Sequence, residues 1–264
     1  MNTYSISRKR LAILSAMLLL LPFLFTQCRQ KEPDSARIMS YNVRNCKGMD
    51  NIVDFDRVAQ VINQALPDVV ALQELDSATQ RYAGAFVLKE LADRTSMHGT
   101  FAPAIEFQGG KYGIGILSKE IPLSVKQVAL PGEEPRTFLI AELNRYYICC
   151  THLALESEAR IESVSIIFEA IEKLGEGLDK PLLLAGDMNA EYGSAEQNAL
   201  LEKFSLLSNH TQNTFPADNP DRCIDFVYGY NNEYSYTVTG SKVLEEPVAS
   251  DHRPLIVDIN INPK

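Results

Sequence analysis

Apolar runs in this chain repeatedly stop at side chains able to hold a metal ion or move a proton. Asn42 follows Ser40-Tyr41, Glu74 follows Leu72-Gln73, and His152 follows Cys149-Cys150-Thr151. Asp187 and Asn189 close the run that begins at Leu182, Asp225 lies inside Cys223-Ile224-Asp225-Phe226-Val227, and Asp251-His252 follow Ala249-Ser250. Carboxylates and amide oxygens suit a hard cation such as Mg²⁺, which keeps several waters and shares its shell with substrate phosphate. Two histidines are then available, one to take a proton from water and one to face developing oxyanion charge. Taken singly, most of these residues have a plainer reading. Asn42 could cap a strand end, Glu74 could be a solvated edge residue, and His152 could be a satisfied core histidine. Asp225 stands out, because a carboxylate within an apolar strand needs a partner. His98 and His210 have no such setting and read as loop residues.

The elements that must carry these side chains follow from the spacing of apolar residues. Residues 37–43 read as a strand, and Asp54 to Leu66 as a helix with Phe55, Val58, Ile62 and Leu66 on one face, stopped by Pro67-Asp68. Val69 to Leu72 reads as a short, continuously apolar strand ending at Gln73-Glu74, and Phe86 to Asp93 as a helix. Strands are expected at 113–117, 137–143 and 146–151. Glu158 to Leu174 reads as a second amphipathic helix, with Ile161, Val164, Phe168 and Ile171 in register, ended by Gly175 and Gly177. The apolar strand 182–185 follows Pro181, and further strands are expected at 223–228, 234–239 and 255–261. With no linker and no internal repeat, this alternation describes one α/β domain over 37–264.

The 264 residues are 45% hydrophobic, too apolar for disorder, and carry a formal charge of −9. Arg8-Lys9-Arg10 precedes the nearly uninterrupted apolar stretch Leu11 to Phe25, shorter than the roughly 20 residues a spanning helix needs, so residues 1–28 read as a signal peptide. Leu24-Phe25-Thr26-Gln27-Cys28 resembles a bacterial lipobox with Gln27 where a small residue is preferred, so Cys28 is the expected lipidation site and residues 29–36 a short polar tether. The chain is thus expected to be exported, either lipid-anchored to a bacterial membrane or periplasmic or extracellular. Without the three leader cations its charge falls to −12, which excludes a polyanion-coating protein but not an enzyme with a metal-loaded cleft. Adjacent Cys149 and Cys150 point to opposite faces of a strand. Cys46 and Cys223 could bridge two loops or be small buried hydrophobes.

Seven short strings occur in the order found in one superfamily. They are Ser40-Tyr-Asn-Val43, Leu72-Gln-Glu-Leu75, Tyr112-Gly-Ile-Gly-Ile-Leu-Ser118, Thr151-His-Leu153, Gly186-Asp-Met-Asn-Ala190, Ile224-Asp-Phe-Val227 and Ser250-Asp-His252. Over about residues 37–261 the chain resembles the endonuclease/exonuclease/phosphatase superfamily, which includes deoxyribonucleases, abasic-site endonucleases, neutral sphingomyelinases and inositol-polyphosphate phosphatases. The resemblance implies an α/β fold, a four-layer α/β/β/α sandwich of two packed mixed sheets with helices outside. Carried over by position, Glu74 would be the principal ligand of Mg²⁺, or of Mn²⁺ or Ca²⁺, with Asn42 and Asp251 close to it. His252 would be the general base, oriented by Asp225. Asp187 would position the attacking water or act as base, Asn189 would hold a phosphate oxygen, and His152 would donate to the phosphoryl oxygens. The implied reaction is in-line attack of water on a phosphate ester. Arg44 departs from the Asp that abasic-site endonucleases carry there. Tyr112, Arg136 and Arg81 are candidate phosphate contacts, with packing or surface ion pairing as the alternative.

The expected substrate is a small phosphodiester or phosphomonoester, such as a lipid, inositol or sugar headgroup. The chain is short for its fold, strongly negative, and has no Lys/Arg cluster interleaved with aromatics. A secreted endonuclease is the alternative, with nucleic acid as the partner, because a metal-filled cleft can bind a backbone without a basic surface. A catalytically silent binding module would lack principal site residues, and none is missing here. The chain is taken as a monomer.

Overall fold

The computed structural model describes Met1 and residues 34–175 and 178–264. The signal-peptide and lipobox readings, Cys28 and the tether up to Pro33 lie outside the described residues, as does Gly177. The described residues from 34 to 264 form one compact unit.

Two six-stranded sheets make up this unit. The first has the order β11(Tyr234–Val243), β12(Leu255–Pro263), β1(Asp34–Asn42), β2(Val69–Ser77), β4(Gly110–Ser118), β3(His98–Phe107). The second runs β5(Ser124–Leu130), β6(Arg136–Glu142), β7(Tyr147–His152), β8(Leu182–Asp187), β10(Asp225–Tyr230), β9(Phe204–Leu206). Each sheet contains one parallel pair, β1 with β2 and β7 with β8, and each pair is joined through a helix. Parallel neighbours require such a crossover, since a hairpin can join only antiparallel strands. The crossover helices are α1(Phe55–Ala65) and α3(Ser157–Glu172); α2(Val87–Thr95) packs beside α1, and α4(Ala195–Leu200) lies near α3.

Burial separates into three apolar layers, which defines four layers of secondary structure. Between the sheets lie Ile38, Ala71, Ile116, Leu139, Ile148, Leu183, Val227 and Val257. Outside the first sheet, Val58, Ile62, Leu88 and Leu91 of α1 and α2 cover Met39, Tyr41, Val70 and Leu72. Outside the second, Val164, Ile167 and Ile171 of α3 cover Ile140, Cys149, Leu184 and Phe226. Alternation of faces along a strand explains how Met39 and Ile38, or Cys149 and Cys150, enter different layers. The apolar runs of β2, β7 and β8 are unbroken because both of their faces are covered.

α1 forms as expected. Asp54 is its N-cap, its carboxylate accepting from Arg57 N at 2.9 Å, and Leu66 ends it in the left-handed conformation, 68% exposed rather than on the buried face. In α3 the inward face is rotated from the expected register: Val164, Ile167 and Ile171 are buried, while Ile161 is 42% exposed. Two expectations change. β2 does not stop at Leu72 but continues to Ser77 across a register shift between Leu72 and Leu75. His98 opens β3 instead of lying in a loop. Cys46, Cys149, Cys150 and Cys223 are all buried free thiols, Cys46 in the layer outside the first sheet and Cys223 in the layer outside the second, which agrees with small buried hydrophobes and not with a bridge.

Candidate active site

The carboxyl ends of the two parallel pairs converge on one cavity of about 370 Å³. This is the edge where α/β sheets commonly place ligands. β1 and β2 supply Asn42 and Glu74; β7 and β8 supply His152 and Asp187, which face each other in the ladder. Asp225, at the start of β10, is paired in register with Asp187. Asp251 and His252 arrive from the loop before β12.

Glu74 reaches the cavity because of the irregularity in β2. Two residues, Gln73 and Glu74, occupy the bulge, and Glu74 takes a φ of +59°. That conformation costs a non-glycine residue on the order of 1–3 kcal/mol and clusters at functional sites. Bulges re-aim side chains, and here the result is a carboxylate directed into the cavity instead of into a packed layer. Burial raises its pKa most; the Asn42 amide lowers it, and Asp251 and Asp187 push it up again.

Asn42 ties the acidic cluster together. Its Nδ2 donates to Glu74 Oε1 and to Asp187 Oδ2, each at 3.1 Å, and its Oδ1 accepts from Arg44 N at 3.1 Å. Ser250 donates to Asn42 O at 2.7 Å, which fixes the Asp251-His252 loop against the end of β1. Arg44 Nε lies 3.4 Å from Asp251 Oδ2. Glu74, Asp187 and Asp251 therefore line one cavity with few compensating cations, and all offer hard oxygen donors. The carboxylates fit a divalent cation, with Glu74 and Asp251 as the expected ligands; Asn42, expected beside them, points its amide N–H groups at Glu74 and Asp187 and would have to turn to offer Oδ1. Among the described residues Asp187, Asp225 and His252 also bring one ligand atom each within 4.8 Å of the others. The short contact between Asp225 and His252 already occupies that group as a carboxylate–imidazole pair.

In that pair His252 Nδ1 is 2.9 Å from Asp225 Oδ2. Both side chains are almost fully buried, and Asp225 Oδ1 has no hydrogen-bond partner. Thr214 Oγ1 accepts from the backbone N–H groups of Ile224 and Asp225, securing the start of β10. Burial alone would lower the His252 pKa, but the charges of Asp225 and Asp187, and the Asp225 hydrogen bond, outweigh it and raise the value to about 10. His152 behaves oppositely. Burial, with Arg136 and His252 nearby, lowers it to about 3 against the pull of Asp187.

Asn189 sits at a φ of +49°. Its N–H donates to Asp187 Oδ1 at 2.9 Å and its Nδ2 to Leu153 O at 2.9 Å, leaving a second amide hydrogen for a ligand. Arg136 lines the same cavity at 8% exposure. It pairs with Glu134, and its Nε has no acceptor. Tyr112 lines the cavity as well, and burial, with Glu74 and Glu134, raises its pKa. Arg81, in contrast, is committed to Asp76 by bonds of 2.5 and 2.6 Å. It stacks over Phe107 and is a structural ion pair, not an anion contact. His210 remains in a loop, stacked on Tyr192.

Phe215, Arg222, Leu155 and Glu134 also border the cavity, and none of them was among the residues singled out as site residues from sequence. They lie in loops, where no apolar run marks them. The position of Arg222 three residues before Asp225 was the one available signal.

Comparison with known proteins agrees with this fold. The family model described as "Endonuclease/Exonuclease/phosphatase family" matches residues 39–252. No curated protein matches the chain. Among solved structures, an endonuclease/exonuclease/phosphatase from Beutenbergia cavernae DSM 12333 is 20% identical, with 86% of this chain and 72% of that chain covered and a TM-score of 0.71. A mannosyl-6-phosphatase from Bacteroides thetaiotaomicron VPI-5482 is 17% identical, with 85% and 99% covered and a TM-score of 0.69. A humanized D. rerio TDP2 is 19% identical, with 86% and 99% covered and a TM-score of 0.63. At these identities the structures establish the shared fold, and the family match over most of the chain establishes that this protein belongs to the endonuclease/exonuclease/phosphatase family, whose members are phosphoester hydrolases.

Proposed function

We propose that the chain is an exported, Mg²⁺-dependent hydrolase of small phosphate esters, a phosphomonoester or phosphodiester of a lipid, inositol or sugar headgroup. One observation carries the reading: a buried carboxylate–imidazole pair, an oxygen-donor acidic cluster and a buried arginine all border one cavity of about 370 Å³. That volume is at the low end for small-molecule sites and suits a phosphate with a modest alcohol. The mannosyl-6-phosphatase among proteins of this fold supports a phosphorylated sugar as one candidate. Export rests on the leader sequence, with Cys28 as the membrane-anchoring residue.

Each side chain then has a task. Glu74, Asn42 and Asp251 would hold the cation, which would supply charge neutralisation to the phosphoryl oxygens. His252 Nε2, 3.6 Å from Asp187 Oδ2, takes the proton of the attacking water that Asp187 orients. Asp225 holds the imidazole tautomer and stabilises the imidazolium after transfer, as carboxylates do in such pairs. Neutral His152, the amide of Asn189 and the guanidinium of Arg136 receive the developing oxyanion charge.

The test is a substrate panel. Purified protein in Mg²⁺ is assayed on a phosphomonoester, a generic phosphodiester, lipid-headgroup phosphodiesters and plasmid DNA. Turnover of a small ester with plasmid left intact is expected. Rapid plasmid nicking would replace this reading with the endonuclease.

A further inference from the structure

The cavity contains a second guanidinium that the proposed chemistry does not use. Arg222 and Phe215 face each other across an antiparallel bridge, Arg222 N donating to Phe215 O at 2.9 Å and Phe215 N to Arg222 O at 3.0 Å. Directly opposed residues of such a pair project to the same side, and here the Arg222 guanidinium lies over the Phe215 ring, 4.7 Å from its centroid. The Phe215 ring is also 4.8 Å from that of His252, tilted at 52° to it. The bridge is tied to the catalytic loop: Arg253 N donates to Thr214 O, and Ala217 N to Asp251 O, each at 2.7 Å. Arg222, with about half of its side chain exposed at the cavity mouth, is therefore held in orientation beside the general base by the ring it stacks on.

Its charge is nevertheless poorly matched. Its ion pair is a 3.9 Å contact to its own neighbour Asp221, which is 74% exposed. Exposed pairs of that kind are worth about 0–1 kcal/mol. Arg37 and Arg81, by comparison, each make two short bonds to one carboxylate. A stacked guanidinium keeps its N–H edge available for a bidentate anion. Arg136 offers another unsatisfied N–H in the same cavity, so the site holds two separate cationic contacts.

Resting on the phosphate-ester reading above, we propose that Arg222 is a specificity-determining residue that binds a second anionic group of the substrate. The preferred substrates are then small esters carrying two anionic groups, such as a bisphosphorylated polyol or sugar, over those carrying one. The reacting phosphate lies at Arg136, His152 and Asn189, and the second anion meets Arg222 at the Phe215 wall.

Calorimetric titration of the full chain in Mg²⁺ with two non-hydrolysable probes, propylphosphonate and propane-1,3-bisphosphonate, tests this without turnover. Charge-assisted hydrogen bonds of this type correspond to a preference of about 10-fold or more for the bisphosphonate. Arg222→Gln should abolish that preference while propylphosphonate binding stays within about twofold, and Arg222→Lys should restore part of it. Normal propylphosphonate binding with no bisphosphonate preference, or a preference unchanged in Arg222→Gln, overturns the assignment of Arg222 alone. Absence of binding for either probe overturns the phosphate site itself, and Arg222 with it.

Discussion

His152 and His252 present their Nε2 atoms to the same oxygen, Asp187 Oδ2, at 3.4 and 3.6 Å. Yet burial brings one down to about 3, and neighbouring carboxylates take the other up to about 10. The difference is Asp225 on the far nitrogen of His252, while His152 has Arg136 nearby. Two imidazoles around one carboxylate are thus driven apart: His152 is held neutral, while without a cation His252 is held protonated, so its role as general base requires the bound cation to offset the carboxylate charge that raises its pKa. Pairs of groups whose pKa values are driven apart by environment mark acid–base assignments.

Asp225→Asn tests that division of labour. The amide retains shape but stabilises the wrong tautomer and cannot balance an imidazolium. Turnover should fall by about 10³-fold or more while the circular dichroism spectrum is unchanged. Wild-type turnover in this variant would refute the pairing.

The same pair gives a pH dependence of stability. His252 has a folded-state pKa above its unfolded value near 6.5. Its contribution is complete below pH 6.5 and disappears as pH rises through about 10. In chelator, the urea midpoint of the wild type should therefore drop more between pH 7 and 10 than that of Asp225→Asn, by an amount on the order of a few kcal/mol in unfolding free energy. Parallel curves would show that Asp225 does not hold the proton on His252.

Glu74→Gln removes the charge that the β2 bulge directs into the cavity. The Mg²⁺ concentration for half-maximal activity should rise about 10-fold or more, with the fold retained because a neutral side chain also relieves repulsion with Asp187 and Asp251. An unchanged metal titration would remove Glu74 from the ligand set.

Gly186 precedes Asp187 on β8, and a Cβ there would meet Thr151 O at 2.1 Å. Gly186→Ala should push β7 and β8 apart at the level of His152 and Asp187, destabilising the fold by about 3 kcal/mol. A melting temperature within a degree of wild type would show that the two strand ends can separate without cost.

The sequence made the candidate site residues visible because each interrupts an apolar run at a strand end: Asn42, Glu74, His152, Asp187 and Asp225 all lie at or next to the end of a strand or at its bulge. It hid what depends on backbone geometry. Nothing in the composition of Leu72-Gln73-Glu74-Leu75 announces a positive φ at Glu74, so β2 reads as ending where it bulges. β3 contains Pro103 and Gly99, and β5 is a largely exposed edge strand, so neither shows an apolar pattern. The Phe215–Arg222 bridge depends on a loop closing on itself, which no local periodicity reports. Arg81 is the ion-paired residue that its setting allowed, although its partner five residues back cannot be read from spacing alone.

Hydrolysis of phosphate esters in this cavity is proposed to need a divalent cation and His252 together. The most direct measurement is hydrolysis of the best small ester by the wild type and by His252→Ala, in Mg²⁺, after chelation, and after Mg²⁺ is restored. The account requires activity that chelator abolishes and Mg²⁺ recovers in the wild type, and a loss of about 10³-fold or more in His252→Ala. Hydrolysis that persists in chelator, or equal rates in the two proteins, would contradict it.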